Sequence, residues 1–207
     1  MESKELNDHI RRSLTILIES ADELRDLDQA LGDGDLGITI SAGSKAVIEA
    51  LEELPDDTAP TEIARTCAKA FANANPSTMA ALVAGALLSG SRTWEGESTI
   101  GVAEAARFTR AAADSIAQRG KTQVGDKTIL DGISAASDAL ESVTDPGEAL
   151  EATKSAAEKA VQETTSLQSR RGRASWLQER SIGLADPGAT AFQRFVEAWA
   201  AAGVAKN

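Results

Sequence analysis

Three aspartates, Asp28, Asp33 and Asp35, fall inside the stretch Asp28-Gln-Ala-Leu-Gly-Asp33-Gly-Asp35-Leu-Gly37, where glycines let the backbone fold tightly. Carboxylates this close repel one another unless a cation sits among them. A hard divalent ion such as Mg²⁺ takes carboxylate oxygens and completes its shell with water and substrate phosphate. An isolated Gly-Asp-Gly-Asp also reads as a solvated turn in which Asp35 or Thr39 caps the next helix. An EF-hand is excluded in both registers. Counting from Asp33 puts Ile38 and Ser44, and counting from Asp28 puts Asp33 and Thr39, where that loop needs Gly and a bidentate Glu.

Two further stretches have the composition of phosphate contacts: Gly120-Lys-Thr-Gln-Val-Gly125-Asp126-Lys127-Thr128, and Arg170-Arg171-Gly172-Arg173-Ala174-Ser175. Basic residues at a helix end also serve simply to offset the helix dipole. A Walker A loop is excluded, because Asp126 stands where GxxxxGK[ST] needs Lys and no strand precedes it. His9 is the only histidine and lies in a polar stretch, so histidine-based catalysis within this chain is not expected. Cys67, the single cysteine, sits among apolar residues at helical spacing and reads as a small core residue.

The elements that must hold these loops are helices. Alanine is abundant, aromatics are 3%, and apolar residues recur three and four apart, with little of the alternation a strand shows. The expectation is an all-α, eight-helix up-and-down barrel or bundle, one domain over residues 1–207. A first helix through Leu6, Ile10, Leu14, Leu17, Ala21 and Leu24 should run to about Leu27. A second should start near Thr39 and end before Pro55. Pro60 opens a third, Asn75-Pro76-Ser77-Thr78 breaks the chain before a fourth, and Gly120 stops a fifth. A sixth carries Leu130, Ile133 and Leu140; Asp145-Pro146 opens a seventh that frays from Thr164 to Gly172; Asp186-Pro187 opens the eighth.

A net charge of −11 argues against a general affinity for nucleic acid or an anionic membrane, so a bound phosphate must be held locally. With no signal-like or membrane-length apolar run, a cytoplasmic location is the expectation.

In order, GDGDLG, GDKTILD, GRASWLQERS and ADPGAT on an all-helical chain resemble the nucleotide-binding L subunit (DhaL, or DAK2-type, domain) of dihydroxyacetone kinase, from Leu24 to Phe195. The resemblance implies a nucleotide, ADP or ATP, on the rim of an eight-helix barrel. It implies two Mg²⁺ ions on Asp28, Asp33 and Asp35. It places phosphate contacts at Leu36, Gly37, Ile38 and Thr39 and at Ser77 and Thr78. Further nucleotide contacts fall at Gly120, Ile129 near the purine, Arg173, Asp186, Pro187 and Gly188.

The implied activity is phosphorylation of a short-chain ketose, dihydroxyacetone or a tetrulose, held by a separate K subunit as a hemiaminal on that subunit's histidine. The donor is either exchangeable ATP or ADP recharged by a phosphotransferase-system protein, and the oligomeric state, a homodimer included, stays open. Two positions depart from the family pattern. Leu36 stands where His is usual, and Asn75-Pro76-Ser77-Thr78-Met79 replaces Gly-Gly-x-Ser-Gly, with Thr78 keeping a hydroxyl. These departures leave a second reading, a non-catalytic nucleotide-sensing protein of the same fold.

Overall fold

The computed structural model describes residues 1–204. Among them the only β-type pairing is an isolated bridge between Glu2 and Thr99; everything else regular is helical. The helices are α1 (Ser3–Leu17), α2 (Ala21–Leu31), α3 (Leu36–Glu52), α4 (Pro60–Ala74), α5 (Thr78–Arg92), α6 (Val102–Gly120), α7 (Ile129–Glu141), α8 (Pro146–Ser166) and α9 (Pro187–Val204).

From α3 to α9 each helix packs on the next, and α1 packs on both α9 and α3, which closes the ring. Short connections make neighbours antiparallel. The C-terminal ends of α2, α4, α6 and α8 therefore share one end of the barrel with the N-terminal ends of α3, α5, α7 and α9. Every residue singled out above for metal or nucleotide lies at that end.

Local chemistry explains most boundaries. Pro60 occupies the first turn of α4 and Pro146 that of α8. Ser77 Oγ accepts from Ala80 N at the start of α5, and Asp145 accepts from Gly147 N and Glu148 N at the start of α8. Leu6, Leu24, Val47, Leu51 and Ile63 form the centre of the larger apolar cluster, while Ile116, Ile129, Leu130 and Ile133 form a second. Fully burying side chains of this size contributes about 1.5–3 kcal/mol each.

Four boundaries differ from the sequence reading. The expected first helix is two, because a 3₁₀ turn at Ile18–Ser20 interrupts it, with α1 and α2 both packing on α3. α2 also continues past Leu27 to Leu31, whose burial holds the last turn, so Asp28 stands on a helix rather than in a loop. α3 begins at Leu36 rather than Thr39, since Leu36 is buried and its N–H donates to Asp28 Oδ2 at 3.1 Å. Finally, α8 does not fray at Thr164. That residue is buried and its Oγ1 accepts from Asp186 N at 3.1 Å, and a 3₁₀ segment, Arg173–Ser181, follows within the stretch read as polar coil.

The close approach of α2 and α3 depends on Gly37, where a β-carbon would collide with the Ala21 carbonyl and the Arg25 side chain. Gly37→Ala should therefore destabilise the protein by about 1–3 kcal/mol despite its better helix propensity. Urea unfolding measures this, and an unchanged midpoint would contradict so tight a contact.

Candidate metal and nucleotide site

The loop between α2 and α3 turns on Gly34, whose φ of +75° suits glycine. One carboxylate oxygen each of Asp28, Asp33 and Asp35 lies within 4.8 Å of the others. Asp35 occupies the position before α3, yet its side chain makes no capping hydrogen bond; the carboxylate of Asp28 takes the Leu36 N–H instead. Asp35 is thus not consumed as a helix cap. Burial pushes the Asp28 carboxyl above the usual carboxylate range; the Leu36 N–H opposes this, and the charges of Asp35 and Asp33 add to the push.

Arg173 ion-pairs with Asp33 and lies 3.5 Å from Asp35. A single guanidinium set against three carboxylates leaves the group formally negative. Its all-oxygen donors and that surplus charge fit a hard divalent cation.

Beside the triad, Thr39 is buried, accepts from Asn75 Nδ2 at 3.0 Å and lies 3.4 Å from Ser77 Oγ. This joins the starts of α3 and α5 into a ledge of hydroxyls and helix N-terminal amides, with Thr78 exposed at its edge. Leu36 turns its side chain into the core, and Ile38 is exposed. Gly120 ends α6 and Ile129 begins α7. Gly188 abuts Ile129 closely, where a β-carbon would come within 3.1 Å of Ile129 Cβ and N. Asp186, Pro187 and Gly188 are all buried, and Asp186 Oδ2 accepts from Ala189 N at 2.7 Å.

The basic stretches divide into structural and accessible parts. Lys127, read as part of a phosphate loop, is only 1% exposed and donates to two backbone carbonyls. Burial pushes Asp126 up, but bonds from Gln123 N and Arg171 outweigh it and hold the carboxyl below its usual range. Thr128 and Asp131 form a capping box on α7. Arg173 alone of the arginine cluster reaches the triad, with Trp176 (80% exposed) on the same 3₁₀ segment.

Gln29, Ala30, Gly32, Asp33, Trp176 and Leu177 help line a cleft of about 300 Å³ there. Sequence reasoning passed over Asn75 and Trp176; an indole in a stretch of charged residues was the available signal for the latter. His9 is buried and, by way of Trp199 at 4.2 Å between ring centroids, belongs to the α1–α9 contact, outside this site. Burial pushes the Cys67 thiol up to about 12, which fits an inert core residue.

Residues 30–201 match the DAK2 domain. The chain belongs to the DAK2 domain family. It is 31% identical to the ADP-binding subunit DhaL of the PEP-dependent dihydroxyacetone kinase of Escherichia coli over 179 residues, covering 84% of this chain and 85% of that one. It is 34% identical to the corresponding DhaL subunit of kinase 1 of Listeria innocua, covering 83% and 82%.

L-erythrulose 1-kinase of Mycolicibacterium smegmatis is 33% identical over 85% of this chain, which spans 31% of that longer protein. The crystal structure of the dihydroxyacetone kinase from C. freundii, in complex with AMP-PNP and Mg²⁺, superposes with a TM-score of 0.75 at 20% identity, covering 95% of this chain and 34% of that one. The expected all-α DAK2-type fold is the one observed.

Burial, with the nearby charge of Asp131, raises the fully buried Asp186 carboxyl to about 7, despite the opposing Ala189 N–H and the Lys127 ammonium. A folded-state value above the unfolded one means that the native state binds the extra proton. Asp186 therefore costs nothing below about pH 4, and its penalty grows as pH rises to about 7. Asp186→Asn keeps an acceptor for Ala189 N, so its stability relative to the parent should improve by up to about 1.4 kcal/mol per pH unit across that window. Parallel pH-dependent urea titrations of both proteins would show a flat difference if this assignment were wrong.

Proposed function

We propose that this DAK2 domain, residues 1–207 acting as one nucleotide-binding domain in the cytoplasm, is the phosphoryl-transferring subunit of a dihydroxyacetone-kinase-like enzyme. In this reading it binds ATP or ADP with two Mg²⁺ ions and phosphorylates a short-chain ketose, dihydroxyacetone or a tetrulose, presented by a separate K subunit. The observation that carries the proposal is the crowding of Asp28, Asp33 and Asp35 at the barrel end where the hydroxyl ledge and Arg173 converge. Support comes also from the relatives, whose names describe ADP-binding kinase subunits and an erythrulose kinase.

The roles follow from position. Asp28, Asp33 and Asp35 would hold the metal. When bound, Mg²⁺ supplies charge neutralisation at the phosphates. The amides at the start of α3, Leu36 to Thr39, and the Ser77 and Thr78 hydroxyls at the start of α5 orient phosphate oxygens. Arg173 carries its guanidinium to the same point and answers the remaining negative charge. Gly120, Ile129 and the Asp186-Pro187-Gly188 turn shape the wall against which the nucleoside lies.

This chain's one histidine is buried away from the rim, so a residue that binds the ketose covalently has to come from the partner. The donor is ATP itself, or ADP recharged by a phosphotransferase-system protein.

The test combines the chain with its K subunit, Mg-ATP and each ketose, and repeats the assay with Asp33→Ala. The variant should lose at least about 100-fold in turnover and also lose the rise in melting temperature that Mg-nucleotide confers on the parent. Undiminished turnover in the variant removes the triad from the mechanism. Nucleotide-dependent stabilisation without turnover on any ketose favours the sensing protein over the kinase.

A further inference from the structure

The segment from Gln168 to Ser181 crosses from α8 toward α9 and carries Arg173 and Trp176 at its tip. Its feet are tied by an unusual residue. Lys127 Nζ donates to the carbonyl of Leu167 at 3.0 Å and to that of Ser181 at 2.6 Å, one at each end of the segment. The lysine is 1% exposed, and burial holds its ammonium below the usual lysine range. Its backbone is left-handed, with φ of +63°, a conformation that a non-glycine residue keeps only where its surroundings enforce it.

Neighbouring bonds fasten the same stem. Ser169 N donates to Ser181 Oγ at 2.9 Å, Arg170 N to the Asp126 carbonyl at 3.0 Å, and Arg171 Nε to Asp126 Oδ2 at 3.0 Å. Past Arg171 the character changes. The tip's hydrogen bonds are local, such as Ser175 Oγ to the Gly172 carbonyl at 2.7 Å, and its reach to the rest of the protein is Arg173 onto Asp33 and Asp35 together with the cleft beneath Trp176 and Leu177. Gly172, with φ of +62°, and Gln178, with φ of +51°, bracket that tip.

We infer that Lys127 is a positioning residue that clamps both feet of the 168–181 segment and thereby sets where Arg173 meets the aspartate triad and whatever the triad binds. A lysine suits this task because its ammonium carries several donors at one point, enough to satisfy two converging carbonyls, while Asp186 supplies the opposite charge nearby. The clamp is a property of this chain alone; its consequence for ligand binding rests on the nucleotide reading proposed above.

Two measurements on the full chain test it. Trypsin, applied well below each variant's melting temperature, reads the clamp through cleavage after Arg170, Arg171, Arg173 and Arg180. Lys127→Met should accelerate cleavage in that window by at least about tenfold while the helices stay protected. Ser181→Ala, which removes the hydroxyl that accepts from Ser169 N and donates to the Gln178 carbonyl and is the milder change should Lys127→Met fail to fold, should shift it in the same direction. Cleavage unchanged in the window, or accelerated equally along the whole chain, overturns the clamp.

Calorimetry with Mg-ADP then reads the coupling. Lys127→Met and Arg173→Ala should each weaken binding by about tenfold, and the double variant should be no weaker than Arg173→Ala alone. Losses that multiply in the double variant mean that Lys127 does not act through Arg173, and overturn the positioning role. If the parent chain itself does not bind Mg-ADP, the nucleotide reading fails, while the trypsin result still decides the clamp.

Discussion

Mutual repulsion among Asp28, Asp33 and Asp35 is the constraint around which this end of the barrel is organised. Like charges at such separations drift apart into solvent unless the backbone holds them, and each of the three is held differently. Asp28 is carried on the last turn of α2, which the buried Leu31 keeps helical. Asp35 sits just ahead of α3 without being used as its cap, and Asp33 lies between them on a turn that Gly34 permits. The Asp28 carboxylate spends one oxygen on the Leu36 N–H, so the start of α3 is stabilised by a residue of the preceding helix. A loop that concentrates negative charge in this way stores electrostatic energy that a cation releases on binding.

The ring topology turns that local arrangement into a site. An up-and-down barrel brings alternate helix ends together, so segments far apart in the chain meet, and only the α8–α9 connection, which carries Arg173, is long. Thr39, Asn75 and Ser77 join the starts of α3 and α5, and the contact of Gly188 with Ile129 joins those of α9 and α7. Helix N-termini supply unpaired amides and the positive end of the macrodipole, and both favour phosphate. A protein with a net charge of −11 can hold an anion only by such local means.

Buried charge supports the same region from below. Asp126, Lys127, Asp131 and Asp186 are each under 10% exposed; Lys127, Asp131 and Asp186 are satisfied by backbone groups, and Asp126 by Gln123 N together with the Arg171 and Thr122 side chains. Removing one partner from such a network leaves a buried group unpaired, which costs more than the bond itself contributes. The loops at this end are therefore fastened to one another, while the tip bearing Arg173 and Trp176 stays exposed.

Much of this was legible in the chain. Apolar residues three and four apart required helices, and Pro60, together with Pro146 and Pro187 and the capping aspartates before them, marked where three of them start. The crowded aspartates were visible as chemistry because their spacing is local and a tight glycine turn leaves few ways to separate them. Other features depend on non-local contacts and could not be read. The 3₁₀ turn at Ile18–Ser20 and the extension of α2 to Leu31 belong to a stretch packed against α3, most closely at Gly37. Lys127, indistinguishable in sequence from a phosphate-binding lysine, is buried because Leu167 and Ser181 converge on it. Which of the clustered arginines faces the triad was likewise settled by tertiary structure: Asp126 captures Arg171, and the segment beyond it brings Arg173 across to Asp33 and Asp35. Local spacing determines which residues can do chemistry, whereas burial and long-range hydrogen bonding decide which of them remain free to do it.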